Sequence, residues 1–283
     1  MKILVIGPGR IGSAFAFHLS LAGHDVSVLA RGARLETLLR QGGIVSTDGR
    51  RAEIQVLSAF DPMVPYDLVL VTVLAHQVDS LLELIRASAA KSILFMFNTF
   101  DTTQRWRDAV GADRFVFGFP TMIAFLEDDR LRSVVNGPGM VTTLTSPYWA
   151  TVLKRAGLPT EVESDIDSWL RSHAAFVVPM MVAAQWTWQR SHPLSWTEAR
   201  QLMRAMREGM TLVRTLGHTI KPRMIAFLAR LPAPLLTALL WAFSRTAAVR
   251  DMGAFGPGEV RSLIDAMAIV GPHQTNTLQS IRP

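Results

Sequence analysis

The chain has 283 residues, of which 49% are hydrophobic and 18% charged, a composition that excludes a largely disordered protein. It contains no cysteine, which excludes a disulfide scaffold, a thiolate zinc site and a cysteine nucleophile. The net charge of +6 comes mainly from arginines spread along the chain, whereas proteins that bind nucleic acid usually carry a basic stripe. We therefore expect a small-molecule substrate and no nucleic-acid partner.

No stretch of the sequence predicts a membrane segment. The longest apolar runs, residues 176–186 and 235–243, fall well short of the roughly 20 residues that a bilayer requires. The apolar stretch near the N-terminus, residues 3–6, is too short for a signal peptide. We expect a cytoplasmic protein without a membrane partner.

The first 30 residues predict a strand, a glycine-rich turn, a helix and a second strand. Residues 2–6 form a short run rich in β-branched residues, and residues 24–30 predict a second strand. Residues 13–22 predict the helix between them. A G-x-G-x-x-G motif in this context is the dinucleotide-binding fingerprint. The alternative is a glycine-rich turn that binds nothing.

Each glycine of the motif has a physical reason. Gly7 permits the tight turn, Gly9 lets a pyrophosphate approach the backbone, and Gly12 lets the helix pack on the sheet. The helix N-terminus then offers N–H groups and a positive dipole end to the phosphates. The predicted cofactor-binding residues of this loop are Gly7, Pro8, Gly9, Arg10, Ile11 and Gly12.

The end of the second strand indicates which dinucleotide binds. NAD-binding folds place Asp or Glu there for the ribose 2′-hydroxyl, whereas this chain has Ala30 followed by Arg31, with Arg34 three residues later. A guanidinium group binds a 2′-phosphate through charge-assisted hydrogen bonds. We therefore predict NADP(H) as the cofactor, with Arg31 as a contact; the alternative is a solvated loop arginine.

The α/β alternation continues beyond this point. Asp48-Gly49 predicts a hairpin turn between strands at 43–47 and 51–57. Further predicted elements are helices at 35–40 and 78–90 and strands at 66–73, 92–98, 114–119 and 140–144. Because ligands of open α/β sheets bind beyond the carboxyl ends of strands, we predict cofactor contacts at Val73, Leu74 and Asn98.

From about residue 165 the strand signals disappear. Predicted helices follow at 165–190, 196–216, 224–229, 235–249 and 258–270. The sequence therefore predicts an α/β fold class, with an N-terminal Rossmann-type dinucleotide-binding domain at 1–164 and an all-α C-terminal domain at 165–283. The histidines lack metal-ligand spacing, so no metal site is predicted, and no G-x-S-x-G elbow of a serine hydrolase occurs.

These residues resemble the ketopantoate reductases (2-dehydropantoate 2-reductases) over nearly the whole chain. The matching positions are residues 7–12, Arg31, residues 42–43, 48–49 and 70–78, Asn98, Trp169, Pro179, residues 258–260 and residues 272–278. The resemblance implies NADPH-dependent reduction of a 2-oxo acid to a 2-hydroxy acid in pantothenate biosynthesis, in a cleft between the two domains. It also implies that Gln77 contacts the cofactor.

The departures from the family concern its chemistry. The family's proton-donating lysine falls on Arg171 or, in another register, on Leu170. Its two substrate-binding asparagines fall on Ala175 and Pro179, or on Ala174 and Val178, and a second lysine falls on Leu74. Since the helix face that holds Arg171, Ala175 and Val178 carries methyl groups in place of amides, we expect a substrate more apolar than ketopantoate.

Four residues are candidates for the catalytic site. Arg171 is a predicted anchor for a substrate anion, and His173 a replacement proton donor, because imidazole titrates near neutral pH. Asn98 and Glu259 match family positions. The alternative for Arg171 is an ordinary surface arginine, and for His173 a packed or surface histidine. Asn98 and Glu259 could equally have no role in the site.

Two classes of function remain open. The first is an NADPH-dependent reductase of a 2-oxo acid or related ketone. The second is an NADP(H)-binding, redox-sensing protein without turnover. This alternative stays open because the family's lysine is absent. We also expect a homodimer through the helical domain.

Overall fold

The computed structural model of the chain describes residues 1–137, 139–246, 249 and 258–283. The chain divides into two compact units. The first comprises Met1–Asn98 and Thr103–Ile166, and the second comprises Thr99–Thr102 and Asp167–Pro283. The first unit contains a mixed sheet with helices and the second is helical, so the predicted fold class is confirmed.

An eight-stranded sheet forms the centre of the first unit. In spatial order its strands are β12 (Thr160–Val162), β11 (Thr142–Leu144), β8 (Phe115–Phe119), β7 (Ile93–Met96), β6 (Leu68–Val71), β1 (Lys2–Ile6), β2 (Asp25–Leu29) and β5 (Gln55–Leu57). All neighbours pair in parallel except β8 and β11. The central strands are buried and rich in Val, Ile and Leu, as expected for parallel strands covered on both faces.

Five helices connect these strands: α1 (Arg10–Leu21), α2 (Gly32–Gln41), α3 (Ala75–Arg86), α4 (Gln104–Val110) and α5 (Pro147–Arg155). Helix α1 begins at Arg10, three residues earlier than the sequence predicts, because the last three residues of the glycine motif already belong to its first turn. The predicted order of strand, glycine turn, helix and strand is confirmed.

The predicted strand at 51–57 is wrong as a single element. Strands β3 (Ile44–Val45) and β4 (Arg51–Ala52) form the expected hairpin around Asp48-Gly49. The chain then leaves the hairpin, and β5 pairs in parallel with β2 instead. The edge of β2 offers backbone N–H and C=O groups with which β5 pairs. The predicted strand at 51–57 is therefore divided into β4 and β5.

A second hairpin was not predicted. Strands β9 (Ile123–Glu127) and β10 (Arg130–Val134) pair antiparallel. Their turn residues Asp128 and Asp129 have φ angles of 47° and 65°. This left-handed conformation is one that aspartate tolerates better than most residues, so the turn carries no glycine signal.

The second unit contains six described helices: α6 (Ile166–Arg190), α7 (Trp196–Thr215), α8 (Arg223–Leu228), α9 (Ala233–Phe243), α10 (Gly258–Val270) and α11 (Asn276–Ser280). Helix α9 ends at Phe243, whereas the predicted helix extends to residue 249; of that extension, residues 247 and 248 lie outside the described residues. None of the described helices is long and apolar enough to cross a membrane.

Candidate dinucleotide and substrate-binding residues

The glycine loop between β1 and α1 is packed too tightly for side chains at two of its positions. Gly7 has a φ angle of 86°, and a Cβ there would lie 2.5 Å from Val73 Cγ1. A Cβ on Gly12 would lie 2.4 Å from both the Gly7 carbonyl oxygen and Thr72 Oγ1. The Thr72 hydroxyl donates to that carbonyl at 2.8 Å, which fixes the loop against the end of β6. Val73 therefore lies beside the loop.

The N-terminus of α1 is open to a ligand. Gly9 is exposed, and a Cβ placed on it would have nothing within 4 Å. In the part of the chain that the structure describes, no side chain caps the helix, and its first turn contains no acidic residue. An anion placed there meets the positive end of the helix dipole and the N–H groups of the first turn. This cradle fits the pyrophosphate of a dinucleotide.

Two arginines follow β2 and occupy different environments. Arg34 is half-buried: its Nε donates to the Pro8 carbonyl at 2.9 Å, and its Nη2 donates to Ser13 Oγ at 2.9 Å. Burial lowers the pKa of its guanidinium, and Asp129 opposes that effect. Arg31, at the start of α2, is exposed and has no partner among the described residues. Arg34 thus supports the loop, a role that its position in the sequence did not indicate.

The residues that follow β6 form the N-terminal cap of α3. The Leu74 N–H group donates to Gln77 Oε1 at 3.1 Å, and the Gln77 N–H group donates to the Leu74 carbonyl at 2.8 Å. The amide oxygen of Gln77 therefore caps the helix. The Leu74 side chain is exposed.

Asn98 follows β7 and carries an unsatisfied acceptor. Its Oδ1 atom is buried and has no hydrogen-bond partner among the described residues. Buried polar atoms are normally hydrogen-bonded, so an orphaned acceptor at the carboxyl end of a parallel strand is a candidate for a ligand contact. This observation fits the predicted role of Asn98 toward a cofactor or substrate.

In the second unit, Arg171 lies on α6 and is only 8% exposed. Its guanidinium carbon lies 5.3 Å from the ring centroid of Phe100, and its Nε is buried without a hydrogen-bond partner. Burial lowers the pKa of Arg171, while the carboxylates of Asp167 and Asp101 raise it. Because guanidinium remains charged in proteins, Arg171 is a buried cation with one N–H group available.

His173, the predicted proton donor, packs against an aromatic ring of its own helix. Its ring stacks on that of Trp169, with centroids 5.0 Å apart and planes 10° apart. Burial lowers the pKa of His173 to about 3. A pKa lowered this far favours the neutral imidazole at pH 7, and the role of His173 as a proton donor stays a prediction.

The helix face next to Arg171 is also different from the prediction. Ala174, Ala175 and Val178 are fully buried in the core of the second unit. A Cβ on Gly209 of α7 would lie 3.0 Å from the Ala175 Cβ, so the two helices approach closely at this point. The methyl groups that suggested an apolar substrate are therefore part of the packed core of this unit.

Residues 218–221 form polar contacts with α6. Ser168 Oγ lies 3.0 Å from His218 Nδ1, and the Lys221 N–H group donates to Ser172 Oγ at 3.1 Å. The backbone of Lys221 therefore contacts Ser172, the residue after Arg171 on α6, although the two lie 49 residues apart in sequence. The sequence alone does not place this lysine, because contacts at such separation leave no local pattern.

Glu259 is the second residue of α10 and is half-buried. Its predicted site role stays a prediction. Among the described residues, no cluster of three or more His, Asp or Glu side chains is arranged to hold a metal ion.

Three comparisons place these features among known proteins. The sequence model of the family described as ketopantoate reductase PanE/ApbA matches residues 3–144. A 2-dehydropantoate 2-reductase from Vibrio cholerae is 28% identical over 138 residues, which cover 48% of this chain and 43% of that protein. The match thus spans less than half the length of that relative.

The fold is similar to that of solved structures along the whole chain. A PanE/ApbA family ketopantoate reductase from Ralstonia eutropha aligns with a TM-score of 0.75 at 16% identity, covering 100% of this chain and 96% of the other. D-mandelate dehydrogenase in a ternary structure with NADH and anilino(oxo)acetate aligns with a TM-score of 0.74 at 16% identity, with the same coverage. At this level of identity the likeness concerns the fold.

Proposed function

Because the chain belongs to the ketopantoate reductase PanE/ApbA family, we propose that it uses NADPH to reduce a 2-oxo acid or related ketone to the hydroxy compound. The observation that carries the proposal is the cradle at the start of α1, where an exposed Gly9 precedes an uncapped helix N-terminus. The D-mandelate dehydrogenase with a similar fold was solved with NADH and an oxo-acetate ligand, which is consistent with this chemistry.

The dinucleotide, when bound, supplies the hydride for the carbonyl carbon. Gly7, Gly9 and Gly12 shape the pyrophosphate cradle. The orphaned Oδ1 of Asn98 accepts a hydrogen bond from the ligand, which satisfies an acceptor that is otherwise buried and unpaired. The side-chain oxygen of Gln77 stays on the helix that it caps, so we assign Gln77 a positioning role toward residues 73 and 74.

NADPH is the proposed form of the cofactor because of the charges that follow β2. No carboxylate stands at the end of this strand, where Leu29 and Ala30 precede Arg31. Two of the three guanidinium nitrogens of Arg34 donate to the glycine loop and helix α1, and its Nη1 is buried without a partner among the described residues. The exposed guanidinium of Arg31 is therefore the group proposed to pair with a 2′-phosphate.

Arg171 is the proposed anchor for the substrate carboxylate. A buried guanidinium with an unpartnered Nε is completed by an anion, and a planar carboxylate matches the geometry of its N–H groups. The ring of Phe100 holds one face of the guanidinium and so limits the directions from which an anion approaches. Glu259 is retained as a proposed site residue.

The alkoxide that forms on hydride transfer needs a proton. Arg171 holds its proton too tightly and His173 is neutral, so neither residue is suited to supply it. Lys221 is the lysine whose backbone is fixed one residue from Arg171, through Ser172. We propose that its ammonium group is the proton donor.

The substrate is proposed to be more apolar than ketopantoate. At the two family positions of substrate-binding asparagines the chain has buried core residues in either register, so hydrogen bonds to a substrate hydroxyl group are absent there. Since Ala175 and Val178 do not reach a ligand, the argument rests on the missing donors and not on new apolar contacts.

The proposal is tested by following NADPH oxidation with ketopantoate beside phenylglyoxylate and other bulkier 2-oxo acids. We expect turnover of at least one apolar 2-oxo acid at a higher kcat/KM than that of ketopantoate. Faster turnover of ketopantoate would contradict the substrate assignment. NADPH binding without turnover of any compound would favour the second candidate, a redox-sensing protein, for which the absence of lysine from α6 is the supporting observation.

A further inference from the structure

We propose that the helical unit contains a second ligand site, which binds a small carboxylate carrying an apolar group. The site is a cavity of about 480 Å³ at the C-terminal ends of α6 and α9. That volume lies in the range of small-molecule sites, roughly 300–1,000 Å³. Thr187, Trp188, Pro193 and Arg245 line it and carry the proposal. None of them is among the residues assigned to the reductase, so the proposal stands independently of that function.

Arg245 provides a fixed positive charge at the cavity. Its guanidinium carbon lies 3.4 Å from the ring centroid of Trp241, and its Nη1 donates to the Trp241 carbonyl at 2.6 Å. No carboxylate of the described residues pairs with it, and its Nε and Nη2 have no partner there. The guanidinium is therefore held in one orientation, and its Nε and Nη2 edge is preorganised to bind a carboxylate.

Thr187 provides an unsatisfied hydroxyl group. It lies near the C-terminal end of α6, is only 6% exposed, and its Oγ1 has no hydrogen-bond partner among the described residues. Two other helical threonines of this unit donate to a carbonyl one turn earlier, Thr215 to Thr211 at 3.1 Å and Thr237 to Ala233 at 2.8 Å. Thr187 makes no such bond, so its hydroxyl remains available to a ligand in the cavity.

The chain leaves α6 in a conformation that brings further residues to the cavity wall. Ser191 has a φ angle of 56°, in the left-handed region that non-glycine residues adopt rarely. The residues that follow this turn, including Pro193, line the cavity together with the exposed indole of Trp188. These two side chains form an apolar wall.

The chemistry of the lining defines the ligand. Arg245 is the one lining residue among those described whose charge is permanent, so the cavity matches a single negative charge better than a phosphate dianion. The Thr187 hydroxyl can donate to the same anion, and the apolar wall accepts a flat apolar group. A carboxylic acid with an aromatic or aliphatic substituent has this combination, and benzoate is a suitable probe.

The test compares binding of benzoate and of its neutral isostere benzamide to the full chain, by calorimetry and by thermal unfolding. We expect saturable binding of benzoate with a Kd of roughly 1 mM or tighter, and a rise in Tm, because a ligand that binds only the folded state stabilises it. Benzamide should bind at least about tenfold more weakly, since it lacks the charge.

Variants locate the site. Arg245→Gln should weaken benzoate binding at least about tenfold, while the matched control Arg200→Gln, an exposed arginine of α7, should bind as the wild type does. Thr187→Val should weaken binding several-fold without lowering Tm, because it removes a hydroxyl that has no partner in the protein. It also serves as the test if Arg245→Gln does not fold.

Arg171→Gln separates this cavity from the proposed substrate site. We expect it to retain the benzoate binding that Arg245→Gln and Thr187→Val weaken. The proposal is overturned if the wild type shows no saturable benzoate binding up to about 20 mM. It is equally overturned if benzamide binds as well as benzoate, or if Arg171→Gln alone abolishes binding.

Discussion

The Nε–H group of Arg34 donates a hydrogen bond of 2.9 Å to the carbonyl of Pro8, in the middle of the glycine loop. Through its Nη2 the same guanidinium reaches Ser13 Oγ, which in turn donates to the Pro8 carbonyl at 2.9 Å. A side chain of α2 thus holds the loop that precedes α1. Arg34 thus holds the loop, whereas Arg31 is exposed and has no partner among the described residues.

Replacing Arg34 by methionine should weaken NADPH and NADH binding by similar factors, about tenfold each, because the loop that contacts the shared pyrophosphate loses its support. Loss of two charge-assisted hydrogen bonds from a half-buried group should also lower the free energy of unfolding by about 2 kcal/mol. Fluorescence titration with both dinucleotides and urea unfolding measure these effects. A loss confined to NADPH would assign the 2′-phosphate contact to Arg34 instead.

Arg31→Gln is expected to have the opposite selectivity. It removes a charge proposed to pair only with the 2′-phosphate, so the Kd for NADPH should rise about 10- to 100-fold while the Kd for NADH stays within twofold. Tm should not change, because the side chain is exposed and has no partner among the described residues. An unchanged ratio of the two affinities would remove the basis for preferring NADPH.

The contrast between these two arginines shows what the sequence contains and what it does not. The order of β1, the glycine loop, α1 and β2 is predictable because each signal is local: an apolar run, glycines at fixed spacing and small helical residues. Whether Arg31 or Arg34 contacts the glycine loop depends on how α2 packs. That contact joins residues 26 positions apart, and no local pattern encodes it.

The same limit explains the α6 residues. Helical periodicity correctly places Arg171, Ala175 and Val178 on related faces, but it does not say what those faces meet. Gly209 of α7 lets the two helices approach closely at Ala175, so this part of the face is core. The pKa of His173 was likewise judged from its ordinary value, whereas its burial beside Trp169 depends on the packed structure.

His173→Phe tests the predicted role of this histidine directly. The imidazole has a pKa of about 3 in the folded chain and about 6.5 when unfolded, so the unfolded state binds its proton between those pH values. Stability of the wild type should therefore fall as the pH drops below 6.5, and this loss should be absent above it. Phenylalanine preserves an aromatic ring beside Trp169 and cannot titrate.

We expect the wild type to lose about 2 kcal/mol more than His173→Phe between pH 6 and pH 4, measured by urea unfolding at each pH. Turnover at pH 7 should stay within about threefold of the wild type, because a neutral imidazole is not the proton source. A loss of activity of 100-fold or more, with an intact fold, would restore His173 as a catalytic candidate.

The exposed face of α9 bears on the expected homodimer. Leu235 and Leu239, four residues apart on this helix, are 48% and 44% exposed, while Leu236 and Leu240 are buried. Aligned leucines on a solvent-facing stripe are typical of an interface. Leu239→Glu should convert a dimer to a monomer in light scattering without lowering monomer stability. A monomeric wild type at about 100 µM would contradict the expectation.

Lys221 offers the sharpest test of the reaction. Its backbone N–H group, not its side chain, holds it to Ser172, so Lys221→Met keeps that hydrogen bond and removes only the ammonium group. We expect kcat to fall about 100- to 10,000-fold, as for loss of a general acid, while the Kd for NADPH is unchanged. Lys154→Met, on α5, is the matched control and should behave as the wild type.

The pH profile distinguishes proton donation from a structural role. A wild-type enzyme that donates from an ammonium group should lose kcat at alkaline pH as that group deprotonates, and Lys221→Met should lack this limb. Lys221→Arg should not restore the rate, because guanidinium keeps its proton even though it preserves the charge. If Lys221→Met retains at least half of the wild-type kcat on the best 2-oxo acid, the proton comes from another group or from water.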